Sequence, residues 1–296
     1  MGKPTIFTGA GVAIVTPFLP DGGVNFDALA KLVEFQLENG TDAIIACGTT
    51  GEASTLTDAE QIAVIQCVVE TVEKRVPVIA GAGSNDTAHG VELCRMAQKA
   101  GADALLLVTP YYNKTSQKGL IEHYTAMAES VDIPIILYNV PSRTGLNITA
   151  KTTLALSKVP NIVGTKEASG NFSQIAEIVH LCDDDFAIYS GNDEQILPIL
   201  ALGGKGVISV LSNVAPKNTH DMVAKFHAGD IAGARKLQLD AIPLINALFS
   251  DVNPIPVKAA VNMMGLNAGG YRRPLTTMSD EGLAALKNAM YEYGLL

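Results

Sequence analysis

Ile162-Val163-Gly164-Thr165-Lys166-Glu167-Ala168 is a short apolar run that ends on a lysine and a glutamate. Runs that are apolar on both faces belong to parallel sheets, where a helix covers one side and a core the other. The same signature recurs at residues 11–17, 42–48, 76–83, 102–110, 133–141, 186–193 and 206–213. Between most of these runs lie stretches with apolar residues at helical spacing, such as 25–38, 58–73, 86–100 and 118–130. Thr57-Asp58 and Asn85-Asp86 supply start signals for two of them. Eight strands alternating with helices predict an α/β fold, a closed (β/α)8 TIM barrel, with a doubly wound open sheet as the second choice. Residues 1–215 then form the barrel core. Residues 216–296 form a C-terminal helical region packed on it, with no linker-like segment between the two.

Composition agrees with a large α/β unit. A chain of 296 residues, 48% hydrophobic, is long enough for one such barrel and its core. The formal net charge of −9 predicts no general affinity for nucleic acid or for an anionic membrane surface. A site for small acids must therefore supply its own positive charge. Cys47, Cys67, Cys94 and Cys182 lie far apart without CxxC spacing, which predicts reduced thiols in a cytoplasmic protein rather than disulfides or a zinc site. The first residues lack the basic and apolar pattern of a signal peptide, and no window is apolar enough to span a bilayer.

In such barrels the active site forms at the C-terminal ends of the strands. Those ends carry Gly48-Thr49-Thr50-Gly51-Glu52, Thr109-Pro110-Tyr111-Tyr112, Tyr138-Asn139-Val140-Pro141-Ser142-Arg143, Lys166-Glu167 and Ser190-Gly191-Asn192-Asp193. Lys166 is the sharpest signal, because lysine is rarely withdrawn from water without a reason. A lysine inside an apolar run is either a nucleophile, its neutral amine favoured by desolvation, or half of a buried ion pair with Glu167 or Glu52. Glu167, adjacent in the strand, points to the opposite face, which weakens the first of those pairs. Tyr138 and Tyr112 suit proton relay with Thr49, or are rim tyrosines with a wet tip. Arg143 suits bidentate grip of a carboxylate, or is a solvated loop arginine.

Other chemistries fit less well. His89, His123, His180, His220 and His227 lack metal-ligand spacing, so a metal-dependent mechanism is disfavoured and no metal site is expected. Gly203-Gly204-Lys205-Gly206 lacks the spacing of a phosphate loop and reads as a tight turn into the eighth strand. Gly81-Ala82-Gly83 is not a dinucleotide fingerprint.

As an ensemble these segments resemble the pyruvate-dependent class I aldolase superfamily that includes N-acetylneuraminate lyase, and within it the dihydrodipicolinate synthase branch. The resemblance runs from Gly11-Val12-Ala13-Ile14-Val15-Thr16-Pro17 to Asn253-Pro254-Ile255-Pro256-Val257-Lys258. Its densest matches are Gly48-Thr49-Thr50-Gly51-Glu52, Tyr111-Tyr112, Tyr138-Asn139-Val140-Pro141 with Arg143-Thr144-Gly145, and Lys166-Glu167-Ala168. It implies a cofactor-free lyase in which Lys166 forms an imine with pyruvate. Thr50 and the backbone around Ile208 would hold the pyruvate carboxylate, with Gly191 also in the substrate site. Thr49, Tyr112 and Tyr138 would relay protons, and Arg143 would receive L-aspartate 4-semialdehyde. The product, 4-hydroxy-tetrahydrodipicolinate, leads to diaminopimelate and lysine. The resemblance further implies a homotetramer of two tight dimers, in which Tyr112 enters the neighbouring site. An aldolase or lyase acting on a sugar acid is the alternative within the enzymes, and a barrel that only binds a small acid is the alternative outside them.

The branch's regulated members bind lysine at a dimer-interface cleft through a glutamate, two histidines, a serine, an asparagine and a tyrosine. Here Asn85 and Tyr111 keep the last two, while His89 takes the place of the glutamate, Asp58 and Gln61 those of the histidines, and Ala53 that of the serine. An ammonium leaving water needs an anionic partner, so weak or absent inhibition by lysine is expected unless Asp58 compensates.

Overall fold

In the computed structural model, which describes residues 2–296, eight parallel strands close into a barrel. They are β1 (Gly9–Ala13), β2 (Ala43–Ala46), β3 (Val78–Gly81), β4 (Ala104–Val108), β5 (Ile135–Asn139), β6 (Ile162–Glu167), β7 (Ala187–Ser190) and β8 (Gly206–Ser209). They pair in chain order, and β8 returns to β1. The closure is tight: any side chain at Gly206 would collide with the backbone of Gly9, so β8 can meet β1 here only through glycine. The apolar runs predicted from sequence are longer than most of these strands. Their last residues leave the ladder at the barrel mouth and become rim loops, as residues 47 and 48 do after β2.

The helices are α1 (Phe26–Glu38), α2 (Asp58–Val72), α3 (Thr87–Lys99), α4 (Gln117–Ala128), α5 (Pro141–Thr144), α6 (Ala150–Ser157), α7 (Phe172–Leu181), α8 (Ile196–Ala201), α9 (Pro216–His227), α10 (Ile231–Leu248), α11 (Ile255–Met263) and α12 (Asp280–Tyr293). Thr57 starts α2 with a reciprocal capping box to Glu60, and Asp86 caps α3 through the N–H of Ala88. Helix α9 packs on β1 in the position of the eighth barrel helix, so α10 to α12 are the elements beyond the ring. No described helix is long and apolar enough to cross a membrane, and all four cysteines are free.

Strand alternation divides the core in two. Outward residues such as Val12, Ile44, Leu105, Leu137 and Val207 join the helices in the large outer core. Inward residues, among them Ala43, Ile45, Ile79, Leu106, Ile136 and Ile208, fill the barrel. Phe7 plugs its N-terminal end, stacked 4.5 Å from the Tyr189 ring, whose hydroxyl donates to the Phe7 carbonyl at 2.8 Å. The filled bottom leaves open space only towards the mouth.

One irregularity positions the chemistry. Between β5 and β6, Ile135 pairs with Ile162 but Ile136 pairs with Gly164, so β6 carries one extra residue there. Beyond that bulge Tyr138 stands beside Lys166, and Asn139 beside Glu167. Inner and outer faces of the two strand ends are thereby matched in pairs.

Candidate active site

Lys166 ends the inner face of β6 and is 5% exposed. Its Nζ lies 4.2 Å from the centroid of the Tyr138 ring, close enough for a cation–π contact. Both carboxylates that could have neutralised it are engaged elsewhere. Glu167 faces the outer side of β6, where it accepts hydrogen bonds from Ser169 Oγ at 2.7 Å and Asn139 Nδ2 at 3.1 Å. Glu52 pairs with Lys258 at 2.7 Å, and both side chains are fully buried. Among the described residues the Lys166 ammonium enters no ion pair. The ion-pair reading of this lysine therefore fails on both named partners.

Burial pushes the Glu167 carboxyl up to about 7, against the pull of its hydrogen bonds from Ser169 and Asn139. Asn139 spreads that network. Its Nδ2 also donates to Asn147 Oδ1 at 2.9 Å, and its Oδ1 accepts from the Ile148 N–H at 3.0 Å. The outer ends of β5 and β6 are thus tied together directly behind Tyr138 and Lys166.

Lys166 opens onto a cavity of about 230 Å³ at the barrel mouth, whose wall includes Thr49, Thr50, Tyr138, Arg143 and Gly191. Glycine is required at 191, because a Cβ there would lie 2.7 Å from Ala168 Cβ and 3.1 Å from Lys166 Cε. A side chain at 191 would push the lysine stem aside. Arg143 sits on the short helix α5 at the rim, exposed, with Nη2 donating to the Asn253 carbonyl at 3.1 Å. Six of the eight residues expected from sequence thus surround one space. Ile208 lies beneath it, fully buried in the barrel core, and Val210 two residues on lines the wall instead. Tyr112 is outside the cavity of its own chain, 92% exposed and in the left-handed region at φ 68.

The loop 48–52 is held from several directions. Thr16 Oγ1 donates to the Gly51 carbonyl at 2.7 Å, and Asn253 Nδ2 donates to Thr50 Oγ1 at 3.0 Å. Glu52 itself is left-handed, with φ 54 and ψ 33, a conformation that costs a non-glycine residue about 1–2 kcal/mol. Its carboxylate receives Lys258 Nζ and, at 3.3 Å, the Arg272 N–H. Sequence reasoning assigned no role to Asn253, Lys258 or Phe249. All three come from the C-terminal region, and Phe249 and Asn253 line the cavity. Lys258 did carry a readable signal, a lysine inside the apolar stretch of α11, as Lys166 is inside that of β6.

A second hollow of about 390 Å³ adjoins the first, sharing Thr49, Tyr138 and Arg143, and runs to Asp58, His89 and Tyr111. There His89 Nε2 meets Asp58 at 3.0 and 3.1 Å, and His89 Nδ1 meets Ser84 Oγ at 3.1 Å. Asp58 is thus engaged by His89, while its side chain stays half exposed. Among the described residues no group of three or more His, Cys, Asp or Glu side chains could hold a metal ion.

Known proteins resemble this chain along its whole length. The profile of the Dihydrodipicolinate synthetase family matches residues 6–292. The 4-hydroxy-tetrahydrodipicolinate synthase of Acetivibrio thermocellus is 57% identical over 296 residues, covering 100% of both chains. The chloride-inhibited dihydrodipicolinate synthase of Acinetobacter baumannii, solved in complex with pyruvate, superposes with a TM-score of 0.96 at 46% identity, covering 99% of this chain and 100% of that one. A monomeric dihydrodipicolinate synthase variant superposes equally well, with a TM-score of 0.96 at 42% identity and 98% of each chain covered. The chain belongs to the dihydrodipicolinate synthetase family and is an enzyme of the lyase class.

Proposed function

We propose that the site condenses pyruvate with L-aspartate 4-semialdehyde to 4-hydroxy-tetrahydrodipicolinate, through an imine on Lys166. The observation that carries this reading is a buried amine, free of any carboxylate, on the wall of a closed-bottomed cavity rimmed with hydroxyls. Lys166 Nζ attacks the keto carbon of pyruvate and water leaves, giving a protonated imine. That positive charge is the electron sink for loss of a methyl proton, so the enamine forms without help from a metal or cofactor. The enamine carbon adds to the aldehyde of the second substrate. The amino group of that substrate then displaces Lys166 from the imine carbon, closing the ring and freeing the enzyme.

The remaining residues divide the work. Thr50 and the backbone around Ile208 hold the pyruvate carboxylate, and Gly191 leaves room for the lysine stem. Tyr138, beside Lys166, moves protons at the reacting carbon, with Thr49 and Tyr112 completing the relay. Arg143 at the rim grips the carboxylate of the incoming aldehyde. Tyr112 reaches this relay from a neighbouring subunit, in a homotetramer built as a pair of dimers. Its exposure at 92%, away from its own cavity, supports that role. Of residues 216–296, α9 completes the helical ring around the core of residues 1–215, and α10 to α12 act as the helical region supporting it. The four free cysteines suit a cytoplasmic enzyme.

Coupled turnover tests the reading. Pyruvate with L-aspartate semialdehyde should give a kcat/KM at least about a hundredfold above that with sugar-derived aldehydes, the discrimination expected of a site built for a small charged partner. Preference for a sugar aldehyde would favour the sugar-acid lyase instead. Binding of pyruvate without turnover of any aldehyde would leave a binding protein.

A further inference from the structure

We propose that Lys258 is a positioning residue: with Glu52 it locks the loop 48–52 in the conformation that presents Thr49 and Thr50 to pyruvate. The proposal rests on the reading of those two threonines as part of the pyruvate site. Lys258 Nζ donates to Glu52 Oε1 at 2.7 Å and to the Gly270 carbonyl at 2.5 Å, and lies 4.2 Å from the Phe18 ring centroid. Each of its neighbours consumes its charge, so it has no nucleophilic part to play. Its effect is on the far side of Glu52. The Glu52 backbone is left-handed, its N–H bonds the Thr49 carbonyl at 3.1 Å, and the Ala53 N–H reaches back to the Gly48 carbonyl. Local backbone bonds, with Thr55 donating to the Glu52 carbonyl at 3.0 and 3.1 Å, close the turn, but only Lys258 pairs with the buried charge of its side chain. Without the ammonium the carboxylate would seek water, the backbone would relax towards the right-handed region, and the preceding threonines would swing. Asn253, five residues before Lys258, bonds Thr50 directly, so one short segment of the C-terminal region holds the loop at two points.

The test uses the full-length enzyme with Glu52→Gln alone and with Glu52→Gln combined with Lys258→Met. The double variant leaves no uncompensated buried charge, so it retains the fold while losing the clamp. The double variant should melt near the parent and the single variant lower, because Lys258 loses its carboxylate there. Both, once folded, should show a pyruvate KM raised about ten- to hundredfold with slower borohydride trapping of pyruvate, while the KM for the aldehyde moves far less. A folded variant whose pyruvate KM stays within about twofold of the parent overturns the proposal. Thr50→Ala in the parent background separates the two levels of the argument. If that change leaves pyruvate binding intact, the reading of the site fails. If it weakens pyruvate while the Glu52 variants do not, only the positioning role fails.

Discussion

Lys166 is 5% exposed and Lys258 is fully buried, yet the two amines meet opposite surroundings. Lys258 has a carboxylate, a carbonyl and two aromatic rings arranged around it. Lys166 has one tyrosine ring and an open cavity. Burial pulls Lys258 below the ordinary lysine value while Glu52 pulls the other way, and the pair ends as structure. The difference teaches that burial alone does not make a lysine reactive. What matters is whether the fold spends its charge on a permanent partner or leaves the amine facing a space for substrate.

That contrast predicts opposite phenotypes for one substitution. Lys166→Met should lower turnover by about four orders of magnitude or more, because it removes the proposed nucleophile, and should leave the melting temperature nearly unchanged. Lys258→Met strands a buried Glu52 carboxylate and should cost about 3–5 kcal/mol of stability. Equal losses of stability in the two variants would erase the distinction.

Arg143 sharpens it from the substrate side. Arg143→Ala should cost about 1.5–3 kcal/mol in kcat/KM for the aldehyde, the worth of a charge-assisted contact, while imine formation with pyruvate continues. Trapping that falls as far as turnover would place Arg143 in the first substrate's site instead.

Glu167, back to back with Lys166, is the titratable group whose effect lies in stability. Its folded carboxyl is near 7 against an ordinary 4.5, so between those values the unfolded chain gives up a proton that the fold retains. Stability contributed by this group is fully present below pH 4.5 and is lost as pH rises to 7, about 3 kcal/mol in all. Glu167→Gln cannot ionise, so its melting temperature relative to the parent should improve between pH 5 and pH 8. An unchanged difference at the two pH values would mean that the carboxylate is already charged in the fold. The smallest effect expected is from lysine, which at millimolar levels and subsaturating pyruvate should inhibit weakly or not at all. Both Asp58 oxygens lie within hydrogen-bond distance of His89 Nε2 there, so His89 competes for them. Saturable inhibition would show that the hollow binds an ammonium by other contacts.

Much of this was legible in the chain. Apolar runs at a regular period define the barrel, and residues at or just past the C-terminal ends of the strands, such as Tyr138, Lys166 and Thr49, fall on the rim because parallel strands all end there. Periodicity is local, however, and two features are not. The extra residue in β6 that sets Tyr138 beside Lys166 leaves no mark on the apolar pattern. The partners Glu52 and Lys258 are 206 positions apart, and Asn253 is 203 from Thr50, so only the folded chain reveals them. Ile208 and Tyr112 show the complementary limit. A position at the right strand end does not say whether the side chain meets the cavity, lies beneath it, or points away from its own barrel.

Borohydride reduction in the presence of pyruvate tests the central claim most directly, since both buried lysines compete in one experiment. Peptide mapping should find the mass of a carboxyethyl group on the peptide bearing Lys166, close to one per chain, with Lys258 unmodified. Labelling of Lys258, labelling spread over surface lysines, or no covalent label at all would contradict the account.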